Sequence, residues 1–319
     1  MKKYFGTGLW KILILIGVIL LLLPPFLGDY LLHVLILIFF FAYLGQCWNI
    51  LGGYAGQLSL GHATYFGVGA YISTLLFMHY DLTPWVGMFL GGLGAAVVGL
   101  FTGYLCFRFG LKGPYFALAT LAFAEILRLI SLNMMSIGGA QGLLIPLLGN
   151  KPLMFQFTER KVYYYIIFAM MVASILIVRK IEKSKMGFYF KSIHENEDAA
   201  EALGIDTQRY KLIATGISAF LTAFGGTFYA QYLMYIQPDL TFSPFTSIEI
   251  LLRTIIGGMG TVYGPVLGSF ILTPLSEITR TLLGGKTGVN IMIFGAILMF
   301  VCIYMQRGVL PWLKGVFRE

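Results

Sequence analysis

The chain has 319 residues, of which 58% are hydrophobic and only 11% charged, with a formal net charge of +8 at pH 7 and a mean hydropathy of +0.82. A soluble domain carries roughly 25% charged residues, so this composition excludes an ordinary soluble globular protein and points to one that crosses a membrane several times. The positive charge does not indicate nucleic acid, because most of the Lys and Arg fall in loops assigned to one side, as the positive-inside rule requires.

Crossing a hydrocarbon core takes about 20 mainly apolar residues, and about ten windows qualify: 10–27, 31–51, 61–79, 85–107, 114–134, 162–179, 211–233, 245–258, 264–283 and 288–306. The first is basic and then apolar up to Pro24-Pro25. It shows no small-x-small cleavage site before Asp29, so it reads as an anchor and not a cleaved signal. The third and eighth windows are rich in Gly and polar residues and are expected to be broken or re-entrant, which is tolerated only where the backbone is buried in protein or lines a cavity. The fourth carries Gly87, Gly91, Ala95, Gly99 and Gly103 at every fourth position. Such a stripe lets another helix approach closely, so it is a packing face; Gly264 and Gly268 are read the same way.

Lys2, Lys3, Lys11, Arg108, Lys112, the seven Lys/Arg within 179–211, Arg307, Lys314 and Arg318 all fall on one side if there are ten spans. The loops at 135–161 and 233–247 then lie outside, although Lys151, Arg160 and Lys161 depart from the rule. The Gly-rich segments Gly61 to Tyr71 and Gly257 to Ser269 sit in similar places before and after the long polar loop, a pattern that points to paired halves with a site between them. No polar stretch is long enough for a soluble core, so residues 1–319 form one transmembrane domain with a cytoplasmic loop at about 180–210.

Ionisable residues inside spans are the default functional candidates in a membrane. Glu125 with Arg128, Glu249 with Arg253 and Glu277 with Arg280 each share a helical face and can neutralise one another. Cys47, Cys106 and Cys302 lie within spans and read as small apolar fillers, with no disulfide set and no metal site. Gly285-Lys286-Thr287 imitates the end of a phosphate loop, but Arg280 stands where its first glycine is needed. With no catalytic motif the chain is not expected to be an enzyme. A channel, a self-sufficient secondary carrier or a transport subunit driven by something else remain.

The long polar segment RKIEKSKMGFYFKSIHENEDAAEALGIDTQRYK runs from Arg179 to Lys211. Glu195 to Gly204 is expected to be a short helix with Glu195, Glu197, Asp198 and Glu201 on its polar faces. Ala199, Ala200 and Leu203 are left for contact with a soluble partner, and Gly204 is its stop.

Five segments together resemble the LivM-type permease of branched-chain amino acid ABC importers: WNILGGYAGQLSLGHATYFGVGAYISTLL (48–76), GPYFALATLAFAEILRLI (113–130), IGGAQGL (137–143), ENEDAAEALGID (195–206) and IIGGMGTVYGPVLGSFIL (255–272). His194, Ile137 and Gln306 depart from the family's usual Arg, Thr and Pro. The resemblance implies an all-α polytopic membrane protein of about ten transmembrane segments, with one or two broken helices and a cytoplasmic coupling helix. It further implies a LivH-type permease partner, two ATP-hydrolysing subunits and an extracytoplasmic substrate-binding protein. ATP is then hydrolysed by the partners and no cofactor is bound by this chain. The solute is expected to be leucine, isoleucine or valine; urea and short-chain amide importers share the pattern. The pathway is expected to run past Gln57, Ser59, His62, Tyr65 and Phe66, with Tyr115 and Thr120 facing them from the fifth span.

Overall fold

The computed structural model describes residues 17–282, together with residue 15 and a few positions between 292 and 310. Expectations for the tenth window, Cys302, Gln306, the side chain of Arg280, the Gly285-Lys286-Thr287 loop and the lysines and arginines near both termini lie outside the described residues.

The described chain is helical, in the order α1 (Asp29–Asn49), α2 (His62–Tyr80), α3 (Pro84–Arg108), α4 (Pro114–Asn133), α5 (Arg160–Lys183), α6 (Lys185–Glu195), α7 (Glu197–Ala202), α8 (Thr207–Leu233), α9 (Pro238–Thr241), α10 (Pro244–Gly257) and α11 (Gly264–Leu282). The punctuation is local chemistry. Thr83 and Ser243 each accept a hydrogen bond from the backbone N–H two residues on, and each is followed by a proline at the first helical position. That combination satisfies an orphan donor and presets the first turn.

Among the described residues five segments are long and apolar enough to span a membrane: Asp29–Tyr54, Pro84–Arg108, Pro114–Asn133, Arg160–Lys183 and Thr207–Leu233. The expectation of about ten is therefore met only in part. α10 has 14 residues, about 21 Å of helix, too short for a core of about 30 Å. α2 follows a five-residue π turn, Ile50–Tyr54, and a non-helical stretch. The third window, 61–79, is therefore not broken, since it forms the continuous 19-residue helix α2 with the irregular backbone lying before it, and the eighth forms a continuous but short helix.

Two groups of helices share the core. In one, α2, α3 and α8 pack mutually; in the other, α1 packs against α5, α10 and α11, and it also touches α8. The small-residue stripe of α3 is buried along its whole length. A side chain added at Gly91 would meet the Gly69 carbonyl at 3.0 Å, and one at Gly99 would meet Ala219 at 2.8 Å. The contact between α10 and α11 is closer still: a Cβ on Gly257 would stand 1.7 Å from the Gly264 carbonyl oxygen. Cys47 and Cys106 are buried free thiols.

The loops at the two ends sort as the span order requires. β1 (Leu143–Leu144) pairs antiparallel with β2 (Tyr235–Ile236), joining the 135–161 and 233–247 loops at one end. Helices α6 and α7 lie at the start of α8. With 27 residues, α8 separates the two ends by about 40 Å.

Candidate functional site

Two cavities open side by side among α1, α8, α9, α10 and α11. One, of about 470 Å³, is lined by His33, Phe40, Phe41, Tyr229, Tyr232, Glu249, Arg253 and Glu277 among others. The second, of about 360 Å³, shares Phe40, Phe41, Tyr229, Leu240 and Glu249 with it and adds Phe66, Asp239 and Ser243. Together they make one groove near the end of α8 that carries β2. Each volume lies within the roughly 300–1,000 Å³ of small-molecule sites.

The groove has an aromatic wall and a charged one. Phe40 and Tyr229 stack with centroids 5.8 Å apart, and Phe66 sits edge-on to Tyr229 at 5.3 Å. Arg253, 1% exposed, lines the same cavity with its guanidinium carbon 3.5 Å from the Phe41 ring centroid. Its Nε donates to Thr273 Oγ1 at 3.2 Å, and Nη1 donates to the Glu249 carbonyl at 2.8 Å. The Glu249 carboxylate, on a side chain 43% exposed, is 3.8 Å from Nη1, an ion pair longer than a hydrogen bond. His33 Nδ1 and the Tyr232 hydroxyl are 2.5 Å apart beside it. Arg128 of α4 pairs with Glu125 at 2.5 Å and also with Asp239 of α9 at the groove edge.

Of the residues expected to line a pathway, only Phe66 lines the groove. Gln57, Ser59, His62, Tyr65 and Thr120 are buried in packed interior, for a definite reason. His62 joins two segments: Ser59 Oγ lies 3.2 Å from Nδ1 and Ser218 Oγ lies 2.8 Å from Nε2. Ser218 donates its own proton to the Cys47 carbonyl, so it accepts from His62 Nε2–H, which leaves Nδ1 to accept from Ser59. Both ring nitrogens are engaged, and the assignment follows from the hydrogen-bond directions. Thr120 Oγ1 accepts from the Leu60 N–H and donates to the Ala117 carbonyl. Tyr65 packs among Ala95, Ala219 and Ala223. Tyr115, expected to face this segment, is 71% exposed at the first turn of α4 and does not face it.

At the other end, the expected helix from Glu195 to Gly204 is divided. α6 ends at Glu195, Asn196 turns extended and caps α7 by accepting from Ala199 N–H, and Gly204 follows at φ 84°. Ala200 is buried against its own chain, which corrects its placement on a partner-facing side. Glu197 also turns inward: Oε1 is 2.6 Å from Lys211 Nζ and Oε2 is 3.7 Å from Lys112 Nζ. Glu201 accepts from the Thr207 hydroxyl at 2.6 Å. What α7 and its C-cap leave exposed is Leu203, 82% exposed, with Ala199 and Asp198, whose side chain is 86% exposed, while Glu195 is exposed at the end of α6. Asp198 reaches only the Lys112 ammonium, at 3.0 Å. That hydrogen bond, with the nearby Glu197 charge, holds the Lys112 pKa above the usual lysine value.

The groove residues were harder to find from sequence. Glu249 and Arg253 are marked by their i, i+4 spacing inside a span, but Phe40, Phe41 and Tyr229 have no local signature among 27 Phe and 19 Tyr. Among the described residues no cluster of His, Cys, Asp or Glu has the form of a metal site.

The protein-family model described as "Branched-chain amino acid transport system / permease component" matches residues 30–302. Similar proteins include the high-affinity branched-chain amino acid transport system permease protein LivM of Escherichia coli (strain K12). It is 28% identical over 295 residues, covering 84% of this chain and 67% of that protein. The LivM protein of Salmonella typhimurium gives the same identity and coverage. The permease protein LivH of Escherichia coli (strain K12) is 23% identical over 287 residues, covering 85% of this chain and 91% of that protein. No solved structure gives a significant match.

Proposed function

Since the chain belongs to the branched-chain amino acid transport system permease family, we propose that it is a LivM-type membrane-spanning subunit of an ATP-driven importer of leucine, isoleucine and valine. It pairs with a LivH-type permease, and together they form the translocation pathway; the groove among α1, α8, α10 and α11 is this chain's share. Two ATP-hydrolysing subunits supply the energy and an extracytoplasmic binding protein delivers the solute. The chain itself catalyses no reaction and binds no cofactor. It sits as a multi-pass protein in the cytoplasmic (inner) membrane of a prokaryote, with α6, α7 and both termini on the cytoplasmic side and the β1–β2 loops outside. The full count is about ten membrane segments, α2, α10 and α11 included.

One observation carries the coupling part of this reading. α7 is a short helix locked to α8 through Glu197 and Lys211, yet it leaves Leu203 projecting into water. An exposed apolar side chain on a rigid polar mount gains by burial in a partner's pocket, with the surrounding charges setting register and association rate. Movement of a partner bound there reaches α8, which runs the full depth of the bundle to Tyr229 and Tyr232 in the groove. Rocking of the two permeases then shifts the groove between inward- and outward-facing states.

The test is co-purification in detergent of the wild-type chain and of Leu203→Asp, each co-expressed with candidate ATPase and LivH-type partners. Both forms are expected to retain the permease partner, and only the wild type to retain the ATPases. Failure of the wild type to hold any ATPase while holding the permease would overturn the importer assignment and return attention to ion-driven transport by a self-sufficient carrier.

A further inference from the structure

The loop between α4 and α5 contains a turn that is held rigidly yet presents an apolar side chain outward. Lys151 and Gln156 exchange backbone hydrogen bonds of 2.9 and 3.2 Å across a short 3₁₀ turn, Pro152–Met154. The Gln156 side chain, itself buried, accepts from the Leu148 N–H at 2.8 Å and donates to the Pro146 carbonyl at 2.9 Å. Phe155 is fully buried and stacks on Trp85 with ring centroids 4.2 Å apart. Two further bonds fix the turn to the start of α3. The Thr83 hydroxyl donates to the Leu153 carbonyl, and the Trp85 indole N–H donates to the Pro152 carbonyl at 3.0 Å. With its backbone tied down in this way, Leu153 is still 81% exposed.

The place of this turn along α3 identifies what covers it. α3 has 25 residues, about 37 Å of helix, against a hydrocarbon core of about 30 Å. Its two ends therefore stand at headgroup depth, with Arg108 at one and, at the other, Trp85, a residue type enriched at that level. Below Trp85 the face of α3 turned away from α2 and α8 is a run of exposed apolar side chains, Val86, Phe89, Leu90 and Leu93. On a helix that crosses a membrane such a face meets acyl chains. Leu153, pinned beside Trp85, continues it to the headgroup layer. Lys151 is exposed two residues away, and a lysine lays its stem along apolar surface with its ammonium in the polar layer.

We propose that this turn is a phospholipid site at the membrane surface: Leu153, with Trp85 and Val86, takes the upper part of an acyl chain, and the Lys151 ammonium takes the phosphate, with a preference for an anionic headgroup. This site goes beyond the permease reading and requires only that α3 crosses the membrane. It gives a role to a lysine that departs from the positive-inside rule, since a cation that holds a headgroup serves on either side.

The experiment uses the whole chain in phosphatidylcholine proteoliposomes, carrying Leu153→Cys labelled with the environment-sensitive fluorophore NBD. Cys47 and Cys106 are buried, and Cys302→Ser removes the remaining thiol. Lipid spin-labelled near the top of its acyl chain is expected to quench the probe strongly, and lipid labelled near the chain end only weakly. When the top-labelled lipid is phosphatidylglycerol, half-maximal quenching is expected at a mole fraction about five-fold lower than for phosphatidylcholine, the factor one lysine contributes at an anionic surface. Lys151→Gln is expected to remove that preference and to leave quenching by phosphatidylcholine in place. A probe that no lipid quenches, or that both headgroups quench equally with Lys151 present, would overturn the site. So would a probe shielded from lipid whose emission shifts only when an extracytoplasmic binding protein is added, which would make the turn a protein dock.

Discussion

Glu197 and Lys211 form an ion pair 2.6 Å long in which both side chains are largely withdrawn from water. Lys211 also lies 4.7 Å from the centre of the Phe107 ring. The pair therefore ties three elements together: α7, the start of α8 and the end of α3. It makes the partner-facing helix part of the bundle instead of a loose loop.

Removing one member of such a pair strands the other. Glu197→Gln is expected to cost about 3 kcal/mol, because Lys211 is then buried without its counter-charge. Adding Lys211→Met is expected to restore most of the loss, since an apolar side chain of similar length suits the Phe107 surface. Thermal unfolding of the three forms in detergent checks this; a double variant no more stable than the single one would show that the pair is not the source of the stability.

Lys112 reaches the same helix from the surface and should behave differently. Lys112→Met is expected to cost about 0.5 kcal/mol or less, the range of exposed pairs. The sign of its pH dependence follows from the raised pKa: the contribution is present in full below the usual lysine value and is lost only as pH rises through the higher folded value. Hydrogen-exchange protection of α7 should therefore be level between about pH 6 and about pH 9 as far as this lysine is concerned.

His62 is expected to act through stability. His62→Ala leaves Ser59 and Ser218 short of a buried partner, a loss of about 1–3 kcal/mol for each stranded group. Leucine uptake, normalised to the amount of folded complex, should change little. A large drop in normalised uptake with unchanged thermal stability would instead put the imidazole in the pathway.

Two glycines give opposite expectations for the same substitution. Gly257→Ala drives a methyl group to 1.7 Å from the Gly264 backbone oxygen, and backbone cannot step aside there. The variant is expected to fail to accumulate as folded protein. Gly28→Ala meets nothing within 4 Å and is expected to stay within about 0.5 kcal/mol of wild type. Size-exclusion profiles of the two in detergent make the comparison.

The long helices were legible in the sequence, because they depend on local chemistry, apolar runs of membrane length, whereas the eleven-residue α6 was not. The α3 stripe was legible for the same reason, since a four-residue period fixes one face of a helix whatever packs against it. The Gly and polar content of the third and eighth windows suggested broken helices, whereas the third folds as the unbroken α2 and the eighth as the short α10. The lining of the groove was not legible. It joins Phe40, Tyr229 and Arg253 across more than two hundred residues, and only the packing of α1 against α8, α10 and α11 decides which aromatic faces a void and which fills the core. The polar residues around His62 have the composition of a pathway, yet tertiary contacts engage Ser59, His62 and Thr120 as a joint between segments. In the same way, composition placed Ala200 and Glu197 on a helix of the right kind, and the proximity of Lys211 turned them inward. Sequence determines what a segment is able to form; which of its polar groups is spent on the chain's own packing depends on partners that only the folded bundle brings within reach.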